Sequence, residues 1–309
     1  MRKRPWLTTQ AEYWAARCLL GGLGILPRKL SIAVGILTAR LGFHLLGGLR
    51  RTGHKSLSIA FPAMPLDERH RLLKLSFENL GRVLGEVSKF PSASAQSLSE
   101  LIDYEFDPDE ISRYEAERAK GRGVIVASPH LGNWEMGVFA YSAIYEPLSY
   151  LARPLDNPKV EGLIADIRSK FGNRAINKRN SVRTAMAMLG EGSIVGVLPD
   201  VNVQEKDGVF VPFFGTLACT TAGVALLAKR TNAMIVPICC VWDDARQKYR
   251  AIHGKIIEPV SSDDRHRDLR ETTALMTAAM EDFVRRFPDQ WLWIHKRWKT
   301  RPPGEPDLY

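Results

Sequence analysis

The chain has 309 residues, of which 45% are hydrophobic and 25% are charged. This composition is that of an ordinary globular protein and excludes a mostly disordered or fibrous chain. The four cysteines form no C-x-x-C pair, which argues against a disulfide framework or a structural zinc site and favours a reducing compartment; they are Cys18, Cys219, Cys239 and Cys240.

The excess positive charge lies at the amino-terminal end. Residues 1–60 contain ten Lys or Arg against one acid, Glu12, whereas residues 61–309 contain 33 basic and 33 acidic residues, which cancel. This asymmetry predicts a polyanionic partner, either a nucleic acid or an anionic membrane surface. The cations are interleaved with leucine and isoleucine and not with stacking aromatics, so we expect the membrane surface and no nucleic acid.

Three apolar segments follow one another in this region, at 18–27, 30–39 and 41–49, with cations between them. None reaches the roughly 20 consecutive apolar residues that a spanning helix needs. Residues 1–60 are therefore predicted to form basic amphipathic helices that associate with the membrane in the headgroup plane. The alternative is a pair of helices that pack on the core and carry ordinary surface arginines.

Residues 61–300 have the pattern of an α/β enzyme domain. Helices are predicted at 66–90, 110–120, 135–145, 158–171, 181–190, 219–231 and 267–287. Strands are predicted at 124–128, 149–153, 193–199, 234–242 and 249–254. Strands that alternate with helices of about 10–15 residues predict a mostly parallel central sheet flanked by helices. The proline-rich residues 301–309 are expected to be a loose tail.

The segment SPHLGNWE at 128–135 carries the strongest candidate chemistry. His130 follows a predicted strand, and ligands bind at the carboxyl ends of strands in open α/β sheets. Gly132 allows a turn, Asn133 is a good helix N-cap, and Glu135 would lie in the first helical turn. Its carboxylate would then turn back to hold one nitrogen of the imidazole. Such a pair predicts general base catalysis on a substrate hydroxyl, although a histidine in this place is also compatible with a structural role.

A second candidate region is the apolar segment GVFVPFFG at 208–215. Its glycines permit close backbone approach, and exposed apolar surface marks an interaction site, so we expect contact with an acyl chain or the bilayer. The alternative is that its aromatic residues are buried core. The helix predicted from 219 would begin with threonines that cap it or face an anion. The binding candidates here are Gly208, Phe210, Phe213, Gly215 and Thr220.

The carboxyl-terminal segment 291–301 contains three tryptophans and four cations. Interfacial tryptophans beside Lys and Arg suit the headgroup zone of a membrane, which would make this segment a second membrane contact. The alternative is that Trp291 and Trp293 pack the last element onto the sheet.

The sequence resembles a known family in five blocks. SPHLGNWE is similar to the H-x4-D/E motif of the glycerolipid and lysophospholipid acyltransferase superfamily, and its HLGNWE wording resembles the late acyltransferases of lipid A biosynthesis and their phosphatidylinositol mannoside acyltransferase relatives. Ser56 stands where the family usually has Asn. The other similar blocks are RRTGHKSLSIAFP at 50–62, LARPLDNPKVEGLIADIRSKFGN at 151–173, the long block at 198–237, and QWLWIHKRW at 290–298.

This resemblance implies an O-acyltransferase with a glycerolipid acyltransferase-like fold and without a metal or organic cofactor. The donor would be an acyl thioester of acyl carrier protein or coenzyme A, and the acceptor a hydroxyl of a lipid A precursor-like membrane lipid. The implied location is the cytoplasmic face of the cell inner membrane, as a peripheral or monotopic protein. The implied residues are His130 as base, Glu135 as its partner, and Asn133, Arg153 and Asp200 as substrate contacts.

Alternatives remain at each level. Arg153 could form a surface ion pair with Asp156, and Asp200 could cap a loop. The acceptor could be a phosphatidylinositol mannoside or a lysophospho- or amino-lipid. A protein of another class, which binds or scaffolds lipids at the inner leaflet without turnover, would use the same groove.

Overall fold

The computed structural model describes residues 5–176 and 181–309. The helices are α1 (Trp6–Ile25), α2 (Arg28–Leu45), α3 (Gly47–Ala60), α4 (Leu66–Val87), α5 (Ala95–Ser99), α6 (Pro108–Ala119), α7 (Trp134–Ile144), α8 (Pro158–Arg168), α9 (Ser181–Gly190), α10 (Gly223–Thr231) and α11 (Arg265–Arg286). The strands are β1 (Ile102–Glu105), β2 (Val124–Ala127), β3 (Ser149–Leu151), β4 (Arg174–Ala175), β5 (Ile194–Val197), β6 (Gly208–Phe213), β7 (Thr216–Thr221), β8 (Met234–Asp243) and β9 (Lys248–His253).

A seven-stranded sheet forms the centre of the molecule, in the order β1-β9-β8-β2-β5-β3-β4. Its neighbouring strands are parallel except for β8 and β9, which are antiparallel. The predicted α/β fold with a mostly parallel sheet is therefore confirmed. Because β2 and β5 are adjacent and parallel, the residues that follow their carboxyl ends lie next to each other.

Helix α2 packs closely along α4, so the amino-terminal helices belong to the same body as the sheet. An added Cβ on Gly35 would lie 2.2 Å from the carbonyl oxygen of Gly81, a distance that only glycine allows. At the other end of this contact the Arg28 guanidinium Nε lies 3.0 Å from Oε2 of the buried Glu86. One face of α2 thus packs on the core, as in the alternative of core-packing helices.

Large apolar side chains on the outer faces of the amino-terminal helices remain exposed. Trp6 is 70% exposed, and Leu7, Trp14, Ile25 and Leu45 are also exposed. Within the described part of the chain, no helix alone has the length and apolar content to cross a bilayer. Helices α2 and α3 meet that requirement only as a pair, and the pair is bent by 88°.

Residues 208–221 form a hairpin, which corrects the predicted loop and helix start. Strands β6 and β7 pair up to Phe213 and Thr216, and the two residues between them, Phe214 and Gly215, have φ values of 53° and 74°. Two positive φ values are what a tight type I′ hairpin turn requires. The helix predicted from 219 begins only at Gly223, because residues 216–221 are used as a strand.

Strand β1 was not predicted because its sequence is acidic. Its acids are neutralised across the strand pair with β9, where Lys248 Nζ lies 3.1 Å from Asp103 Oδ1 and Arg250 Nε lies 2.7 Å from Glu105 Oε1. Cross-strand ion pairs of this kind stabilise a strand that propensity alone disfavours.

The expectation that residues 301–309 form a loose tail is wrong for Tyr309. The Tyr309 hydroxyl lies 3.0 Å from Ser56 Oγ, and the Tyr309 ring packs against the apolar cluster that contains Trp298. The last residue therefore lies against α3.

We expect Gly35→Ala to lower the free energy of unfolding by about 1–3 kcal/mol, the usual cost of overpacking, because the new methyl group would overlap the Gly81 carbonyl. Gly162→Ala in α8 is the matched control, since nothing lies within 4 Å of an added Cβ there. It should raise stability by about 0.5–1 kcal/mol, because alanine is the better helix former. Denaturant unfolding of the two purified variants measures both effects, and equal effects would contradict the close contact.

Candidate active site

The loop after β2 is shaped by Gly132 and Asn133. Gly132 has a φ of +63°, and a Cβ there would lie 2.0 Å from the carbonyl oxygen of Cys240, so the turn requires glycine. The Asn133 side-chain oxygen accepts a hydrogen bond of 3.0 Å from the backbone N–H of Met136 and caps α7. The predicted turn and N-cap are confirmed, and His130 stands before them at the carboxyl edge of the sheet.

His130 is held by Asp200, which follows β5. The imidazole Nδ1 lies 2.7 Å from Asp200 Oδ1, and the backbone N–H of His130 donates to Oδ2 at 2.8 Å. Because an ionised carboxylate only accepts hydrogen bonds, Nδ1 carries the proton and Nε2 keeps a free lone pair. The His130 side chain is 19% exposed, so this lone pair belongs to a partly accessible ring.

The Asp200 carboxylate also accepts a hydrogen bond from Trp291, whose indole Nε1 lies 2.9 Å from Oδ2. Trp291 belongs to the carboxyl-terminal segment, which runs beside the His130 loop: the backbone N–H of Leu292 donates to the His130 carbonyl at 3.1 Å. Asp200 is only 4% exposed. Its negative charge is therefore stabilised by protein donors.

The two members of the pair shift each other's pKa. Burial of His130 would lower the pKa of the imidazole, but the charge of Asp200 and the hydrogen bond to it raise this pKa above the ordinary 6.5. Burial of Asp200 would raise its own pKa, but the charge of His130 and the hydrogen bonds from His130 and Trp291 lower it to about 2. Asp200 is therefore ionised at neutral pH, and His130 is a stronger base than a free imidazole.

The predicted hydrogen bond between Glu135 and His130 is wrong. Glu135 pairs with Arg168 of α8, whose Nε lies 2.9 Å from Oε2 and whose terminal nitrogen contacts the other carboxylate oxygen. A guanidinium offers a carboxylate two parallel donors, whereas the one donor nitrogen of the imidazole is already engaged by Asp200. The charge of Glu135 still adds to the rise in the pKa of His130.

An apolar cavity of about 410 Å³ lies between the sheet and helices α6 and α7. The cavity borders the His130 loop, since Ser128 and Trp134 line it and the Trp134 ring centroid lies 5.1 Å from that of His130. Aromatic side chains that include Tyr104 and Phe106 form another part of its lining. A smaller cavity of about 70 Å³ shares the Trp134 wall and is lined by Glu135 and Arg168 among others.

Two of the predicted substrate contacts have structural positions instead. Asn133 is fully buried, with its side-chain nitrogen 3.4 Å from the Tyr249 hydroxyl, so it cannot meet a substrate. Thr220 is buried in β7, where its hydroxyl accepts a hydrogen bond from the buried Arg297, and it caps no helix.

The other candidates from the hairpin lie outside the two cavities, neither of which is lined by Gly208, Phe210, Phe213 or Gly215. Phe213 is buried in the core beside Trp291, with ring centroids 5.5 Å apart, which is the core alternative. Gly215 serves the hairpin turn.

Arg153 follows β3, at the same edge of the sheet as His130 and Asp200. Its guanidinium lies 3.0 Å from the Asp156 carboxylate, and the two side chains are 80% and 64% exposed. The surface ion pair left open by the sequence is therefore present, in a position that an incoming anion could still reach.

Sequence reasoning missed the partnership of Asp200 and the contact of Trp291. The signal for Asp200 was its place directly after a strand, at the edge that also carries His130. Nothing in the local sequence indicates Trp291, because its approach to Asp200 depends on the path of the carboxyl-terminal segment across the sheet.

An apolar cavity beside the loop of a histidine with one free ring nitrogen suits an enzyme of the acyltransferase class, and comparisons with known proteins agree. The profile of the bacterial lipid A biosynthesis acyltransferase family matches residues 2–300, so the chain belongs to that family and is an acyltransferase.

Among its relatives, the lipid A biosynthesis lauroyltransferase of Escherichia coli (strain K12) is 27% identical over 96% of this chain and 95% of the relative. The palmitoleoyltransferase of the same organism is 26% identical with the same coverage. The solved 1-acyl-sn-glycerophosphate acyltransferase of Thermotoga maritima is 15% identical, with a TM-score of 0.37 over 83% of this chain and 97% of that chain.

We expect Asp200→Asn to lower the pKa of His130 from above 6.5 to below it, because burial of the ring remains while the neighbouring charge is lost. NMR titration of the His130 ring measures this value. Asp156→Asn, which removes an exposed carboxylate, is the control and should leave the His130 titration unchanged. An unaltered His130 pKa in Asp200→Asn would contradict the assigned pair.

Proposed function

We propose that the protein transfers a fatty acyl chain from an acyl thioester to a hydroxyl of a lipid A precursor, with His130 as general base. The observation that carries this proposal is the Asp200-held imidazole on a loop that borders an apolar cavity. Membership of the lipid A acyltransferase family supports the acceptor, since the relatives are named for lipid A biosynthesis.

The proposed reaction uses the free Nε2 of His130. This nitrogen takes the proton of the acceptor hydroxyl while the oxygen attacks the thioester carbonyl. The carbon–sulfur bond then breaks, the thiol leaves with the proton returned by His130, and an ester remains. Asp200 stabilises the imidazolium that forms in between and keeps the ring in the tautomer with Nδ1–H.

The large cavity is the proposed site for the donor acyl chain. Its lining is mainly aliphatic and aromatic, with Glu110, Glu115 and His253 among its charged or titratable members. Because Ser128 and Trp134 also line it, a thioester carbonyl on that side would lie near His130. Burial of each CH₂ group contributes about 0.8 kcal/mol, which makes an apolar cavity selective for a fatty chain. The thioester would be carried by acyl carrier protein or by coenzyme A.

Two charged residues are proposed to contribute in different ways, Arg153 to acceptor binding and Glu135 to the basicity of His130. Arg153 lies on the same sheet edge as His130 and would exchange its exposed partner Asp156 for an acceptor phosphate. Glu135 is held by Arg168 at 2.9 Å and is proposed to act on His130 through its charge and not through a hydrogen bond.

The exposed apolar side chains of α1 and α2, together with the basic residues of 1–60, support peripheral or monotopic association with an anionic membrane. The proposed location is the cytoplasmic face of the cell inner membrane. Binding there would bring the cavity and the Arg153 edge to a lipid acceptor.

We expect His130→Ala to reduce acyl transfer by about 10²- to 10⁴-fold, the usual contribution of a general base, with the fold retained. The assay follows labelled acyl chain from an acyl carrier protein thioester into a lipid A precursor. His266→Ala, which removes an exposed histidine, is the control and should remain active. Lipid binding without labelled product in the unmodified protein would favour the non-catalytic lipid-binding alternative.

We expect Ile111→Trp to shift donor preference to shorter acyl chains, because Ile111 of α6 lines the large cavity. A single extra or missing methylene group changes kcat/KM by roughly 10- to 200-fold. Ile111→Ala at the same position should shift preference towards longer chains. The measurement is kcat/KM for a series of acyl thioesters, and an identical chain-length profile in all three proteins would contradict the assignment of the cavity.

A further inference from the structure

The indole of Trp291 donates to Asp200 from a rigid position. Trp291 is 1% exposed, its ring stands edge-on to Trp293 with centroids 4.6 Å apart, and its backbone pairs with Leu131 beside the site. Trp291 lines neither of the two cavities described above. A tryptophan fixed in this way needs a partner for its buried N–H, and that partner is a carboxylate.

We propose that Trp291 is a positioning residue of this site: its indole N–H fixes the Asp200 carboxylate in the orientation in which the other oxygen holds Nδ1 of His130. The inference rests on the proposed function, since it assigns Trp291 to proton transfer by His130.

The geometry explains why a second donor matters. Asp200 Oδ2 accepts from the His130 backbone N–H at 2.8 Å and from Trp291 at 2.9 Å, while Oδ1 faces the imidazole at 2.7 Å. Rotation of the carboxylate would therefore break three contacts together. With Trp291 removed, a single backbone N–H would remain on Oδ2, and the carboxylate would be less firmly oriented.

The same donor tunes the base. Each hydrogen bond to a carboxylate stabilises its charge and weakens its attraction for a neighbouring imidazolium. Without the Trp291 N–H, Asp200 is more basic and the protonated form of His130 is favoured. The acid limb of the pH–rate profile, where His130 loses its proton, should then move to higher pH.

The test compares Trp291→Phe with Trp293→Phe. Trp293 is the matched control because it is buried in the same cluster and donates its indole N–H to the Pro288 carbonyl at 2.6 Å, away from Asp200. We expect Trp291→Phe to lower kcat by about 10- to 100-fold, part of the roughly 10²- to 10⁴-fold that general base catalysis supplies, with KM for the donor unchanged and the acid limb raised. Trp293→Phe should keep the limb of the unmodified enzyme.

The inference is overturned if Trp291→Phe keeps the unmodified kcat and acid limb, or if both variants lose activity only in proportion to lost folded protein. Should Trp291→Phe fail to fold, Trp291→benzothienylalanine retains the ring shape and replaces the N–H by sulfur, and the same kinetics apply. His130→Ala separates the two levels: full activity in that variant defeats the proposed function, whereas an inactive His130→Ala with a normal Trp291→Phe defeats only the role of Trp291.

Discussion

The site depends on one constraint: the buried carboxylate of Asp200 needs hydrogen-bond donors from the protein. Asp200 is almost shielded from water, and an isolated charge in such a place is strongly unfavourable. Its donors come from two distant parts of the chain, the His130 loop and the carboxyl-terminal segment with Trp291. The His130 imidazole is therefore oriented only when the sheet and the carboxyl-terminal segment 291–301 have both assembled, so the proposed base depends on contacts between distant parts of the chain.

The same junction is reinforced from the amino-terminal side. The side-chain nitrogen of Asn79 in α4 donates to the Gly132 carbonyl at 2.8 Å and to the Gln290 carbonyl at 3.2 Å. The Gln290 side chain in turn bonds both backbone groups of Trp242 in β8. Helix α4 thus touches the site loop on one side and the closely packed α2 on the other. The exposed apolar helices are consequently joined to the site through one rigid element, and not through a flexible linker.

The sequence predicted the parts of the fold that depend on the local pattern of apolar and turn residues. The parallel sheet, its central strands and the Asn133 cap follow from apolar runs and turn residues. The hairpin at 208–221 could not be predicted from local periodicity. Threonines and small residues occur both in strands and at the starts of helices, and the pairing of β6 with β7 determines that residues 216–221 form a strand. The acidic β1 was missed because its stability comes from cations on β9. In the site, the motif at 128–135 predicted His130. Its carboxylate partner could not be predicted, because Arg168 binds Glu135 and leaves Asp200 to bind the imidazole.

That choice has a chemical consequence. Two carboxylates both hydrogen-bonded to one imidazole would stabilise its protonated form so strongly that few rings would be free to accept a proton at neutral pH. Arg168 prevents this by binding Glu135 with two nitrogens, and the imidazole is hydrogen-bonded to Asp200 instead. Glu135 then raises the pKa of His130 only through its charge and not through a hydrogen bond. Its ion pair with Arg168 forms part of the wall of the smaller cavity beside Trp134. Glu135, five residues after His130, is therefore bound by Arg168, and the carboxylate hydrogen-bonded to His130 is that of Asp200, seventy residues further along the chain.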